Sequence, residues 1–296
     1  MKITKEQLER SAWSNVIVNI TGESKSGKTH LAIRSEGPRY VAYLDRNTSL
    51  AFQILKADTE GFKWNEDSEE IELIAPMPYA DLTVEAAEQH VKKVEALASR
   101  ALIKSKLLAA QGEHGGTFII DGALLLKGYI EKWKLGESST LGYRAKRGER
   151  GVSSIQYAES NAYFNDLISR FAGQNIDLVL LWEGRRIWED YYTDAGAKQS
   201  RPTNRFRSSG PESMSFAINA EVQTTAIVEP VIVNNKVTDQ QQVKHRVLIG
   251  YNAFNSNLRG RMVKVDSFKE LKELFLSGVE DSRFVPAEAE VVESLE

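Results

Sequence analysis

Cysteine is absent from all 296 residues, which excludes disulfides and thiolate metal sites and makes a reducing, cytoplasmic compartment the expected setting. No window approaches the roughly 18 consecutive apolar residues of a membrane span. The opening run Met1-Lys2-Ile3-Thr4-Lys5-Glu6 lacks the apolar core of a secretory signal. Neither export nor a membrane partner is therefore expected. Histidines are few and scattered, at 30, 90, 114 and 245, without the spacing of a structural zinc site. Charge of neither sign dominates, since 38 Lys and Arg face 41 Asp and Glu for a net charge of −3. Contact with nucleic acid would thus have to use local basic segments. The length allows one large α/β domain, or one domain with insertions.

The most specific pattern present is Gly22-Glu23-Ser24-Lys25-Ser26-Gly27-Lys28-Thr29, which fits the P-loop G-x-x-x-x-G-K-[ST] at every fixed position. Its context agrees. Val16-Ile17-Val18-Asn19-Ile20 reads as a buried strand running into the loop, and His30-Leu31-Ala32-Ile33-Arg34 as a helix leaving it. Glycines let backbone N–H groups curl around phosphate oxygens at the positive end of the new helix. In such a loop Lys28 reaches the β- and γ-phosphates and the Thr29 hydroxyl takes a place on Mg²⁺. ATP with Mg²⁺ is the cofactor pair this implies.

Reading outward, residues 5–12 form a candidate short amphipathic helix. Arg39–Asp45 reads as a second buried strand ending in a carboxylate, and Glu70–Ala75 as a third that stops at Pro76 and Pro78. Apolar residues at helical spacing (Val84, Ala87, Val91, Val94, Leu97) predict a long helix over 81–111. Thr117–Asp121 is a short apolar strand ending in aspartate. Residues 122–134 read as helix, 136–154 as a Gly-, Ser- and Arg-rich stretch, 155–173 as a second amphipathic helix and 177–183 as another buried strand. Loop or hairpin is expected over 184–213, then strands over 221–233 and 243–251 around a turn at Asn234-Asn235. A last helix starts at a capping box, Ser267 to Glu270. The resulting division is an N-terminal helical arm (1–13), a P-loop ATPase domain (14–255), a C-terminal helix (256–285) and an acidic flexible tail (286–296). Strand–helix alternation predicts an α/β fold with a mostly parallel sheet flanked by helices and a β-rich C-terminal part.

A P-loop needs a further acid to hold Mg²⁺. Asp121 is the candidate, because its strand aims it at the strand C-termini where open α/β sheets bind ligands. Hydrolysis needs a group that orients or deprotonates water. Asp45 is the first choice and Glu183 the second; either could instead be a cap or ion-pair partner.

This order of landmarks resembles the RecA-like ATPase core, in particular the short phage-type members implicated in single-strand annealing, over about residues 14–255. The resemblance matches Lys28 and Thr29 to the P-loop pair and Asp121 to the Walker B aspartate. Leu44-Asp45-Arg46-Asn47 falls where RecA-type proteins carry a D-x-E, and Asn47 in place of the glutamate argues against rapid hydrolysis. Trp182-Glu183 falls at the family's polar sensor pair. Lys244-His245-Arg246 looks like the basic residues that reach a neighbouring subunit's γ-phosphate, which implies a homo-oligomer, ring or filament, and a catalytic role for Lys244 and Arg246 in trans.

The resemblance also implies single-stranded DNA held by the two loops after the Walker B and sensor strands. Here these carry Arg144, Lys146, Arg147 and Arg150 in the first, and Arg201, Arg205, Phe206 and Arg207 in the second. Basic and aromatic side chains together suit phosphate tracking and base stacking; such runs are also common as solvated surface. An ATPase acting on single-stranded DNA in phage recombination or replication, in a bacterial host cytoplasm, is the leading expectation. A small kinase, a DNA-packaging motor or a nucleotide-stabilised assembly protein without turnover are the alternatives.

Overall fold

The computed structural model describes residues 15–24, 26–44, 70–74, 81–140, 154–192, 198–208, 217–233, 236–276 and 284–285. The expected arm over 1–13 and the tail over 286–296 lie outside them. The elements in chain order are β1 (Ile17–Gly22), α1 (Lys28–Ile33), β2 (Arg39–Tyr43), β3 (Glu70–Leu73), α2 (Val84–Ala110), β4 (Thr117–Asp121), α3 (Ala123–Thr140) and α4 (Ser154–Ser169). They continue with β5 (Asp177–Tyr192), β6 (Lys198–Ser208), β7 (Ala220–Val233), β8 (Lys236–Asn252), β9 (Met262–Val265), α5 (Phe268–Leu276) and β10 (Phe284–Val285).

Among the described residues these strands form one sheet in the order β10-β9-β8-β7-β1-β5-β4-β2-β3, with β6 attached to β5. The run from β7 to β3 is parallel throughout, whereas β7–β8, β8–β9, β9–β10 and β5–β6 are antiparallel. The fold is therefore α/β with a mostly parallel core and antiparallel strands at the C-terminal end. Strands covered on both faces must be apolar throughout, and β1, β2 and β4 are buried at every residue. One face packs Ile17, Phe118, Leu178, Leu180 and Trp182 against α2, α3 and α4. The other packs Val18, Ile20, Val179 and Val247 against α1 and α5.

Local signals explain the element ends. The Thr83 hydroxyl accepts from the Ala86 N–H at 3.1 Å and caps α2. The Ser267 hydroxyl accepts from the Glu270 N–H, and Glu270 returns the contact to the Asp266 N–H rather than to Ser267 itself. Gly116, at φ 91°, immediately precedes β4, where a Cβ would run into the Pro38 carbonyl oxygen.

Several elements depart from the sequence expectations. The P-loop helix stops at Ile33, while α3 runs six residues beyond 134, and Val84 lies where a Cβ on Gly136 would have to sit. Within 184–213 the hairpin alternative holds: β5 continues to Tyr192 and pairs antiparallel with β6 as a two-stranded ribbon, longer than a tight hairpin. The span 256–285, expected to be a C-terminal helix, holds a 3-10 turn at Ser256–Leu258 and then β9, a buried strand that pairs with β8, and its α-helix occupies only 268–276. Four residues are too few for a periodicity to show.

At the N-terminal ends of the parallel strands lies a buried ionic knot. Asp177, 1% exposed, accepts from the Val16 N–H at 2.8 Å and from Lys272 Nζ at 2.7 Å. Lys272 also meets His114 Nε2 at 3.0 Å. This ties α5 to the start of β5 and to the turn before β4. Replacing Lys272 by Ala leaves the Asp177 carboxylate buried without its cation, which costs about 3–5 kcal/mol. Urea unfolding should show that loss; a cost under about 1 kcal/mol, as for an exposed pair, would contradict the assignment.

Candidate functional site

The loop after β1 closes on itself. Ser26 N–H donates to the Glu23 carbonyl at 3.2 Å, and Leu31 N–H to the Gly27 carbonyl at 2.9 Å as α1 begins. Gly27 sits at φ 78°, ψ 11°, a left-handed conformation costly for any residue with a Cβ. A Cβ at Gly22 would collide with the Ser26 hydroxyl and press on the Thr224 carbonyl. Both glycines are thus required by the path of the chain. Lys28 Nζ lies over the loop, donating to the carbonyls of Gly22 at 2.9 Å and Glu23 at 2.6 Å, with the Ser26 hydroxyl at 3.4 Å.

Thr29, on the first turn of α1, donates its hydroxyl to Asp121 Oδ2 at 2.8 Å, and Asp121 is 4% exposed. The strand that leads into the loop and the strand that ends in Asp121 are not neighbours, because β5 runs between β1 and β4. A hydroxyl and a carboxylate oxygen paired beside a glycine-shaped loop and an ammonium form a hard-oxygen donor set suited to Mg²⁺ and phosphate. This is a P-loop.

Glu183 extends β5 on the face that carries Val179 and Leu181, the face of α1, and is paired in register with Gly22. It is exposed. Trp182 points the other way: it is fully buried in the α4-side core, edge-on to Phe164, and donates its indole N–H to Asn19 Oδ1 at 2.9 Å. Asp45 and Lys25 lie outside the described residues; Leu44, one before Asp45, donates its N–H to the Asp121 carbonyl at 2.9 Å. The basic candidates Arg144, Lys146, Arg147 and Arg150 also lie outside them. Arg201, Arg205, Phe206 and Arg207 are on β6, where the register sets Arg201 opposite Glu189, Phe206 opposite Arg186 and Arg207 opposite Arg185.

Lys244 and Arg246 are on β8, opposite Ile227 and Thr225 of β7. Strand alternation separates them from His245, which shares the α1 face with the buried Val247. Lys244 Nζ is 3.7 Å from Asp266 Oδ2. The two cations therefore lie on the face turned away from α1.

His245 itself was not singled out by motif. It is fully buried and its Nε2 lies 3.0 Å from His30 Nδ1 on α1. Residues 215 apart share no sequence pattern, but the alternation Val243, His245, Val247, Ile249 marks position 245 as core-facing. Burial chiefly, with Arg34 nearby, pushes His30 down to about 4 against the opposing pull of Asp266. Burial, then His30 and Arg34, pushes His245 down to about 3. Both rings are neutral at pH 7.

No family model matches the chain, and no curated protein matches it. Among solved structures, a KaiC-like protein from the hyperthermophilic archaeon Pyrococcus horikoshii OT3 aligns at 12% identity over 84% of each chain, with a TM-score of 0.36. The functional reading accordingly rests on this chain's own P-loop and strand order. No helix among the described residues is long and apolar enough to cross a membrane.

The histidine pair fixes a pH dependence. Each ring binds its proton less readily folded than at its ordinary value of 6.5, so the unfolded chain takes up more protons on acidification. The stability from the pair is complete above about pH 6.5 and is lost as pH falls toward 4 and 3. Urea midpoints should decline from pH 7 to pH 5. A His30→Gln/His245→Gln protein should show a flatter decline, with the remainder due to His90 and His114, which burial also lowers.

Proposed function

We propose that this chain binds ATP with Mg²⁺ at the P-loop, hydrolyses it slowly, and acts as a RecA-like oligomer on single-stranded DNA in phage recombination or replication. The observation that carries the nucleotide reading is the Thr29–Asp121 hydrogen bond beside Lys28. When bound, Mg²⁺ would neutralise phosphate charge, with Thr29 and Asp121 as its protein contacts. Lys28 exchanges the loop carbonyls for phosphate oxygens, and the backbone around Gly27 supplies further donors. Glu183, exposed and level with the P-loop, is the acid available to orient water; Asp45 keeps its candidacy from sequence.

The β5–β6 ribbon supports the DNA reading. It starts at the strand end next to the P-loop and carries Arg185, Arg186, Arg201, Arg205 and Arg207, with Trp188 and Phe206 in the same two strands. Cations beside aromatics suit a flexible strand with unstacked bases better than a duplex. Lys244 and Arg246, on the face away from their own α1, suit service to a neighbouring copy's nucleotide. A second reading, a nucleotide-stabilised assembly protein without turnover, is favoured by Asn47 in place of an acid.

ATP turnover with and without single-stranded DNA tests the proposal. DNA-stimulated turnover is expected, and Lys28→Ala should abolish ATP binding; retained affinity in that variant would refute the nucleotide site. Binding without turnover would favour the assembly reading. Replacing Arg201, Arg205 and Arg207 by Ala should weaken DNA binding and reduce its salt dependence by about 0.7 in logarithmic slope per lost phosphate contact.

A further inference from the structure

α1 has six residues, too few to hold its own shape in water. Its position is set by what it packs against, and on one side that is β8. His30, two residues after Lys28, meets His245 through a hydrogen bond between neutral rings, with centroids 5.3 Å apart and planes 36° apart. The same His245 ring lies on the loop: a Cβ built on Gly27 would come within 2.5 Å of His245 Cε1 and 2.9 Å of Nδ1, with Ala226 Cβ at 3.1 Å. His245 Nδ1 has no hydrogen-bond partner among the described residues. A buried polar atom without a partner is costly, and a leucine or phenylalanine would fill the same space without that cost. The groove therefore holds an imidazole where packing alone would favour hydrocarbon.

We propose that His245 is a positioning residue for the phosphate loop: it presses on the left-handed Gly27 and, through His30, holds the first turn of α1 against β8. One ring thus touches both sides of Lys28 in the chain. The glycine before it is held by contact and the residue two after it by a hydrogen bond. The direction of the Gly27–Lys28 peptide is thereby fixed from outside the loop. β8 pairs with β7 along most of its length and β7 pairs with β1, so this hairpin and the strand that enters the phosphate loop belong to one hydrogen-bonded sheet. A change in the loop on nucleotide binding is then passed to β8, where Lys244 and Arg246 flank His245 on the opposite face. Gly27 has a second reason to be glycine, since a side chain there would displace the ring even if the backbone tolerated it.

This inference rests on the P-loop being a nucleotide site, and the test separates the two. Equilibrium binding of Mg-ADP and the thermal midpoint without nucleotide are measured for the native chain and for Lys28→Ala, His245→Ala and His30→Gln. His245→Ala should bind Mg-ADP roughly tenfold more weakly or worse, because small misplacements of a converging site are expensive. Millimolar imidazole, filling the hole, should restore a large part of the affinity. His30→Gln, which keeps a hydrogen-bonding group on a partly exposed residue, should weaken binding in the same direction and serves if His245→Ala fails to fold. Unchanged Mg-ADP affinity in the histidine variants, with only the thermal midpoint lowered, would reduce His245 to a packing residue and overturn the proposal. Unchanged affinity in Lys28→Ala would instead remove the nucleotide reading beneath it.

Discussion

The Thr29–Asp121 hydrogen bond spans a gap that the sheet has to hold to within a few tenths of an ångström. β1 and β4 stand on either side of β5, so their axes are roughly 10 Å apart. No side chain bridges that distance from strand to strand. α1, leaving the loop over the sheet, carries Thr29 across β5 to the carboxylate. The register makes this possible, since Asp121 pairs with Leu181 and Leu181 with Ile20, so the acid lies level with the last residues of β1 before the loop. A slip of one residue in β4 would turn Asp121 into the opposite core. The apolar runs in β1, β4 and β5 therefore do two things at once: they bury the sheet, and they fix the oxygen geometry at its edge.

Polar groups are distributed along the sheet accordingly. At the N-terminal ends of the strands Asp177, Lys272 and His114 satisfy one another in a closed knot, which serves stability. At the C-terminal ends Lys28 is held on backbone carbonyls and Thr29 on Asp121, partners that can be replaced, and Glu183 is exposed to solvent. Groups whose present partners can be exchanged for phosphate and cation are what a binding site needs, and closed ion pairs are what a frame needs.

Much of this was legible in the sequence. The P-loop has fixed spacing because backbone geometry dictates it, and strands buried on both faces write themselves as apolar runs ending in Asp121 or Glu183. Less legible were features set by long-range contact. β5 looked finished at Glu183 because its extension is polar, and only pairing with β6 keeps it extended. β9 was hidden in four residues ahead of an amphipathic helix. His245 was grouped with Lys244 and Arg246 as one basic cluster, although period-two alternation in a strand puts the middle residue on the other face. That alternation separates the buried ring from the two cations.

The central claim is that loop, Lys28, Thr29 and Asp121 form one Mg²⁺–triphosphate site. Calorimetric titration of the native chain and of Asp121→Asn with ATP, in the presence and absence of Mg²⁺, tests it most directly. The account predicts one site per chain, tightened by Mg²⁺ in the native protein and no longer tightened once the carboxylate is gone. Affinity indifferent to Mg²⁺ in the native chain, or a Mg²⁺ effect that survives in Asp121→Asn, would contradict it.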